Sequence, residues 1–345
     1  MKKIIYLLLT LTVGFSQGLY AKDKFSLAWS HYTGWEPWAY ADDQGIVDKW
    51  ASKYGIEIDV VLINDYIESI NLYTAGSFDA VTATNMDALT IPAVGGIDTT
   101  ALIIGDYSNG NDGIVARNAN SVADLKGREV RLVELSVSHY MLARALAMNG
   151  LSERDLTVVN QSDADIAAVF VSDNNGAVVT WNPPLQQVRN AKGAKLLFDS
   201  SKIPGEIIDI TFVKTDADER FKKALVGAWY ETMTMMKGGR SAEEAIAFMA
   251  SNSAATPAEF KAQLRTTAMY YEPQQAADFA KGEQLINTME AVRQFSFDKG
   301  LFGTGADSPD FVGIQFPNGK VLGASSNIKL RFDASFMEMV ANGNL

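Results

Sequence analysis

The stretch "FSLAWSHYTGWEPWAY" (residues 25–40) opens as a short apolar run and ends on a Glu-Pro pair. Residues 25–30 read as a β-strand, and Gly34 with Pro37 marks a loop that opens into a helix. A strand leaving through a loop into a helix is the repeating unit of open α/β sheets. In such sheets ligands bind beyond the carboxyl ends of the strands. That loop holds Trp35, Glu36, Trp38 and Tyr40 within six positions, with His31 just ahead of them.

The same alternation continues outward. "IEIDVVLIN" (56–64), "FDAVTAT" (78–84) and "TTALIIGD" (99–106) read as further strands. A helix over 64–76 has Asp65 and Glu68 as a capping-box pair and Gly76 as its stop. A second group of strands is expected at 113–118, 129–135, 156–161 and 176–181, with a helix over 138–150. A strand at 207–215 precedes helices near 216–238, 241–251, 257–268 and 274–295, whose starts carry Asp216/Glu219, Ser241/Glu244 and Thr256-Pro257/Glu259. The polar "GDYSNGNDG" (105–113) reads as a crossing between domains. The expectation is two α/β lobes with open, mostly parallel sheets, a hinge and an extended C-terminal helical region. Lobe 1 takes residues 22–110 plus 213–345, and lobe 2 takes 111–212.

The first 21 residues stand apart. Lys2 and Lys3 precede an apolar run from Ile4 to Phe15, and "GLYA" ends at Ala21. This is the pattern of a secretory signal peptide cleaved before Lys22. The run is too short to span a membrane, which takes roughly 20 apolar residues. The 345-residue chain has no Cys and two His. A lipid-modified cysteine is therefore excluded, and neither a transition-metal site nor another cofactor is expected. The net charge of −11 becomes −13 without Lys2 and Lys3, a surface that repels nucleic acid and anionic membranes.

The loops after the strands supply the candidate site residues. They are Trp35, Glu36 and Trp38; Thr84, Asn85 and Asp87; Glu134, Ser136, Ser138 and His139; Trp181 and Asn182; and Glu206 with Asp209. Each has a plainer role open to it. The Trp rings can pack in the core, and Asp87, Ser136 and Ser138 can cap helices. Glu206 and Asp209 can pair with basic residues elsewhere. Taken together, though, these loops carry Glu36, Asp87, Glu134, Glu206 and Asp209 and no Lys or Arg. Carboxylates beside aromatic faces suit a planar, N–H-rich cation better than an anion. No G-x-S-x-G, H-E-x-x-H or P-loop occurs, so the expectation is a binding protein and not an enzyme.

Two sets of residues carry a resemblance. "KGREVRLVELSVSHYMLARALAMNGLSERDLTVVNQSDADIAAVF" and "AVVTWNPPL" resemble the periplasmic solute-binding proteins of nitrate/sulfonate/taurine-type ABC importers. "GWEPWAYADDQGIVDKWASKYGI", "IPGEIIDI" and "FSFDKGLFGTGADSPDFVGIQFP" resemble the subgroup encoded beside urea carboxylase-type genes. The resemblance implies a type II two-lobe periplasmic-binding-protein fold and a monomer working in the periplasm. It also implies a small-molecule ligand, urea or guanidine in the subgroup, passed to an ABC permease with its ATPase. In that family a helix N-terminus in the segment resembling "ELSVSHY" lies at the ligand. The family's anion ligands are the alternative to the planar nitrogen compound.

Overall fold

The computed structural model describes residues 23–345, so the expected leader lies outside the described residues. The strand that opens the chain, β1 (Asp23–Trp29), pairs in parallel with β2 (Ile56–Leu62) and β3 (Ala80–Thr84). Helix Tyr66–Thr74 links β2 to β3, and the Asp65 side chain accepts from the Glu68 N–H at its start. Three further strands complete the first alternation and cross to the second: β4 (Thr99–Ser108), β5 (Asp112–Arg117) and β6 (Glu129–Leu132). β7 (Thr157–Asn160), β8 (Ala177–Trp181), β9 (Ala194–Asp199) and β10 (Ile208–Lys214) follow, then β11 (Thr267–Met269), β12 (Gly313–Gln315), β13 (Val321–Leu322) and β14 (Ile328–Phe332).

These strands form two sheets. The larger runs β13-β12-β14-β4-β10-β3-β1-β2, with β11 added against β4, and the smaller runs β7-β6-β8-β5-β9. Both are mixed. Pairs within the strand–helix–strand units are parallel, as β1 with β2 and β6 with β7. Strands at the crossings run the other way: β10 is antiparallel to β3 and β4, and β5 to β8 and β9. The two-lobed α/β class therefore holds, with fewer parallel pairs than the alternation suggested.

The chain passes between the sheets twice, through residues 109–111 and again through 200–207. The crossings are tied together by Ser108 Oγ and Ser200 Oγ at 2.6 Å and by Gly110 N–H to Ser200 Oγ at 2.7 Å. β10 enters the large sheet at Ile208, so the chain returns earlier than residue 213. β9 and the short β11–β14 have no counterpart in the sequence reading. β9 is half-exposed and interrupted by Lys195, and the others are too short to show a period.

The C-terminal helices pack on the large sheet, where Trp229 and Phe221 of helix Glu219–Met236 are buried. Helix Glu283–Asp298 reaches the other lobe: the Phe295 ring stands edge-on to Tyr140 at 5.1 Å, and Lys299 pairs with Glu153.

Candidate functional site

Between the sheets lies a small cavity lined by Tyr32, Trp35, Tyr66, Thr84, Asp112, Val137, Trp181, Ile207 and Asp209. Its walls come from strand exits of both lobes. Tyr32 and Trp35 follow β1, Thr84 ends β3, Trp181 ends β8, and Val137 begins helix Val137–Met148. Four rings form a continuous aromatic wall. Centroid separations are 5.0 Å for Tyr32–Trp35, 5.5 Å for Trp35–Tyr66 and 5.4 Å for Tyr66–Trp181. Trp181 Nε1–H donates to the His31 carbonyl at 3.3 Å, a bond from one lobe to the other.

The acidic lining, Asp112 and Asp209, belongs to the crossings, with Asp106 beside Asp209. Asp106 lies near the end of β4, Asp112 begins β5, and Asp209 stands opposite Asp106 on β10. All three are buried. Tyr32 O–H donates to Asp106 Oδ1 at 3.0 Å, but among the described residues no donor reaches Asp106 Oδ2, Asp112 Oδ2 or Asp209 Oδ2. The β4–β10 pairing brings the Asp106 and Asp209 carboxyls together, and a hydrogen bond between them requires one of the two to carry a proton. Burial, then the neighbouring Asp106 charge, raises Asp209 well above the carboxylate range. Burial, opposed by a hydrogen bond with Ser108, pushes Asp112 to about 7. Among the described residues no three His, Asp or Glu side chains are disposed to hold a metal ion.

Of the residues expected from sequence, the cavity gathers Trp35, Thr84, Trp181 and Asp209. The others sit elsewhere, each for a visible reason. Trp38 is in the core against Trp229, ring centroids 5.1 Å apart. Glu36 is wholly buried away from the cavity. Its Oε1 meets His31 Nδ1 at 2.6 Å and its Oε2 accepts from Asn252 Nδ2 at 2.7 Å, so it anchors the aromatic loop to helix Gly239–Asn252. Glu206 forms a bidentate pair with Arg144 at 2.8 and 2.9 Å and accepts from Tyr140 O–H at 2.6 Å. Glu134 is exposed. His139 Nε2 lies 3.1 Å from Glu153, and its Nδ1 accepts from the Leu135 N–H.

Asn182 is bonded to Asn111 of the first crossing. Asn85 Oδ1 accepts from the Ile208 N–H at 3.1 Å and so pins β10. Ser136 caps helix Val137–Met148, while Ser138 Oγ is buried without a partner among the described residues. Asp87 accepts from Tyr66 O–H at 2.6 Å and Thr84 Oγ1 at 2.8 Å, and the Val137 N–H also lies against it. Thus one of the protein's own carboxyls stands near the helix N-terminus.

Tyr32, Tyr66, Asp106 and Asp112 are site residues that the sequence reading did not select. Tyr32 lies inside the opening stretch, and both aspartates lie inside "GDYSNGNDG", which was read only as a crossing. A signal was available: crossing strands pass beneath the cleft, so polar residues at their ends face it.

Two mixed sheets joined by paired crossings around a cavity define the bilobed periplasmic-binding-protein fold. Residues 50–217 match the model of the family described as NMT1/THI5 like. A 92-residue stretch is 34% identical to an Escherichia coli protein named for binding aliphatic sulfonates, covering 26% of this chain and 29% of that one. Matches span 29% to 58% of the lengths of the curated relatives. The alkanesulfonate-binding protein SsuA of Xanthomonas axonopodis pv. citri, bound to MOPS, superposes with a TM-score of 0.68 at 18% identity, over 83% of this chain and 96% of its own. The periplasmic nitrate-binding protein NrtA of Synechocystis PCC 6803 does so with a TM-score of 0.56 at 14% identity, over 94% and 99%.

Proposed function

We propose that this protein is the periplasmic solute-binding component of an ABC importer, and that its cavity captures guanidine or urea. The expected signal peptide, the fold and the binding proteins it resembles support the first part. The observation that carries the second is the pairing of an aromatic wall with buried carboxylate oxygens that no protein donor reaches. A buried acceptor without a donor is costly. A planar ligand rich in N–H groups removes that cost while lying against the rings. The cavity is small, which suits a ligand of few heavy atoms.

The competing reading is a small anion such as taurine, an alkanesulfonate or nitrate, and the names of the relatives favour it. It requires a donor-rich pocket, whereas Asp112 and Asp209 line this one. A thermal-shift panel of guanidinium, urea, amidines, taurine, alkanesulfonates and nitrate separates the two. A ligand at 100 times its Kd adds about 2.7 kcal/mol of stability. Guanidinium or urea is expected to raise the melting temperature at submillimolar concentration. A rise with sulfonates or nitrate alone would overturn the proposal.

A further inference from the structure

Asp106 and Asp209 occupy directly paired positions on β4 and β10, both at most 2% exposed, which brings their carboxyls together. We infer that this pair shares one proton in the ligand-free protein and releases it to solvent when a planar monocation enters, so that capture exchanges one cation for one proton. The inference rests on reading the cavity as a site for a small nitrogen compound.

The argument starts from geometry. Two carboxyls in hydrogen-bonding contact inside a protein cannot both ionise without a nearby positive charge, because like charges at that range repel strongly in a poorly solvated site. Among the described residues the surroundings supply none. The groups facing the pair are Tyr32 from the β1 exit, Asp112 from β5, and Tyr270 and Tyr271 beyond β11. All three tyrosines and Asp112 are themselves held neutral toward higher pH by burial. One proton is therefore retained where the hydrogen bond between the carboxyls needs it. Asp209 also lines the cavity, and its Oδ2 has no donor among the described residues. A cation's N–H edge placed there supplies both the missing donor and the missing charge, and the shared proton is then free to leave.

This separates the two candidate ligands. Guanidinium keeps its charge across the physiological range and can replace the proton, whereas urea carries no charge and leaves it in place. Cation capture is then strongest at neutral to alkaline pH and weakens as protons compete at lower pH.

The test is isothermal titration calorimetry of the mature protein with guanidinium chloride, at pH 6.0 and 7.5, in buffers that differ in ionisation enthalpy. At pH 6.0 the observed enthalpy should vary linearly with buffer ionisation enthalpy, with a slope of about one proton released per ligand. The Kd should weaken by up to about tenfold per pH unit below the titration of the pair. Urea, where it binds, should give a slope near zero. Asp209→Asn, or Asp106→Asn if the first variant does not fold, should bind guanidinium with no proton release. Guanidinium binding with a buffer-independent enthalpy at both pH values would overturn the exchange while leaving the binding function intact. Full proton release by the Asn variants would overturn the assignment to this pair. Absence of any guanidinium binding would remove the functional reading and the exchange together.

Discussion

The Asp87 carboxylate lies against the Val137 N–H at the start of helix Val137–Met148, where a helix N-terminus is otherwise able to hold an anionic ligand. Tyr66 and Thr84 hold it there with bonds of 2.6 and 2.8 Å. An internal carboxylate thus stands beside the position an anion would take, and the cavity is left to aromatic rings and the aspartates of the crossings. Replacing Asp87 by Ser should open that position. Affinity for nitrate or taurine should rise and that for guanidinium fall, as read by calorimetry. No gain in anion affinity would show that Asp87 is not the barrier.

Trp181 is the ring that the second lobe contributes, and its Nε1–H reaches the His31 carbonyl in the first. A cation over a desolvated indole face gains about 2 kcal/mol, so Trp181→Ala should weaken guanidinium binding by roughly thirtyfold. Trp181→Phe should recover much of the loss. Equal affinities in wild type and Trp181→Ala would place the ligand away from this wall.

Glu36 behaves as an anchor and not as a ligand group, because both of its oxygens are already engaged by His31 and Asn252. Glu36→Gln keeps the shape but loses the charge-assisted bonds, and should cost about 1–3 kcal/mol of stability. Guanidinium affinity should stay within about threefold of wild type, which is under 1 kcal/mol. Heat is the suitable denaturant for this measurement, since guanidinium and urea are the candidate ligands.

Gly34 is where the aromatic loop passes over Asp106. A Cβ there would lie 2.2 Å from Asp106 Oδ2 and 2.6 Å from the Tyr32 ring. Gly34→Ala must push one of these aside, so guanidinium affinity should fall at least tenfold. The far-ultraviolet circular dichroism spectrum should be unchanged. An Ala variant with wild-type affinity would show that Asp106 and Tyr32 tolerate displacement.

Stability without ligand should fall as pH rises from about 4 to about 7. Burial raises Asp87 to about 6 and Asp112 to about 7. The folded chain therefore holds protons that the unfolded chain has already released in that window, and stability decreases wherever the folded state binds more protons. Glu153, held near 2 by His139 and Lys299, acts in the opposite sense but only below its ordinary range near 4.5. Calorimetric scans from pH 4.5 to 8 should show a declining melting temperature without ligand and a growing increment with guanidinium. A melting temperature that climbs from pH 5 to 7 would mean that these carboxyls are ionised in the fold.

What the sequence determined by itself was local. The strand–helix alternation, the caps at Asp65 and Thr256 and the aromatic loop after β1 depend on residues a few positions apart, whereas the helix expected to start at Ser138 is capped by Ser136. Their signals are therefore legible along the chain. The charge state of the cleft was not, because it depends on partners distant in sequence. Glu36 and Glu206 look alike in a list of acidic loop residues, yet Asn252 occupies one and Arg144 the other. Asp106, Asp112 and Asp209 come from segments that only strand pairing brings together. Electrostatic and hydrogen-bond energies are settled over about 3 Å, a distance that only the tertiary structure assigns. Acidity was readable in advance; which acids face the ligand was decided by the fold.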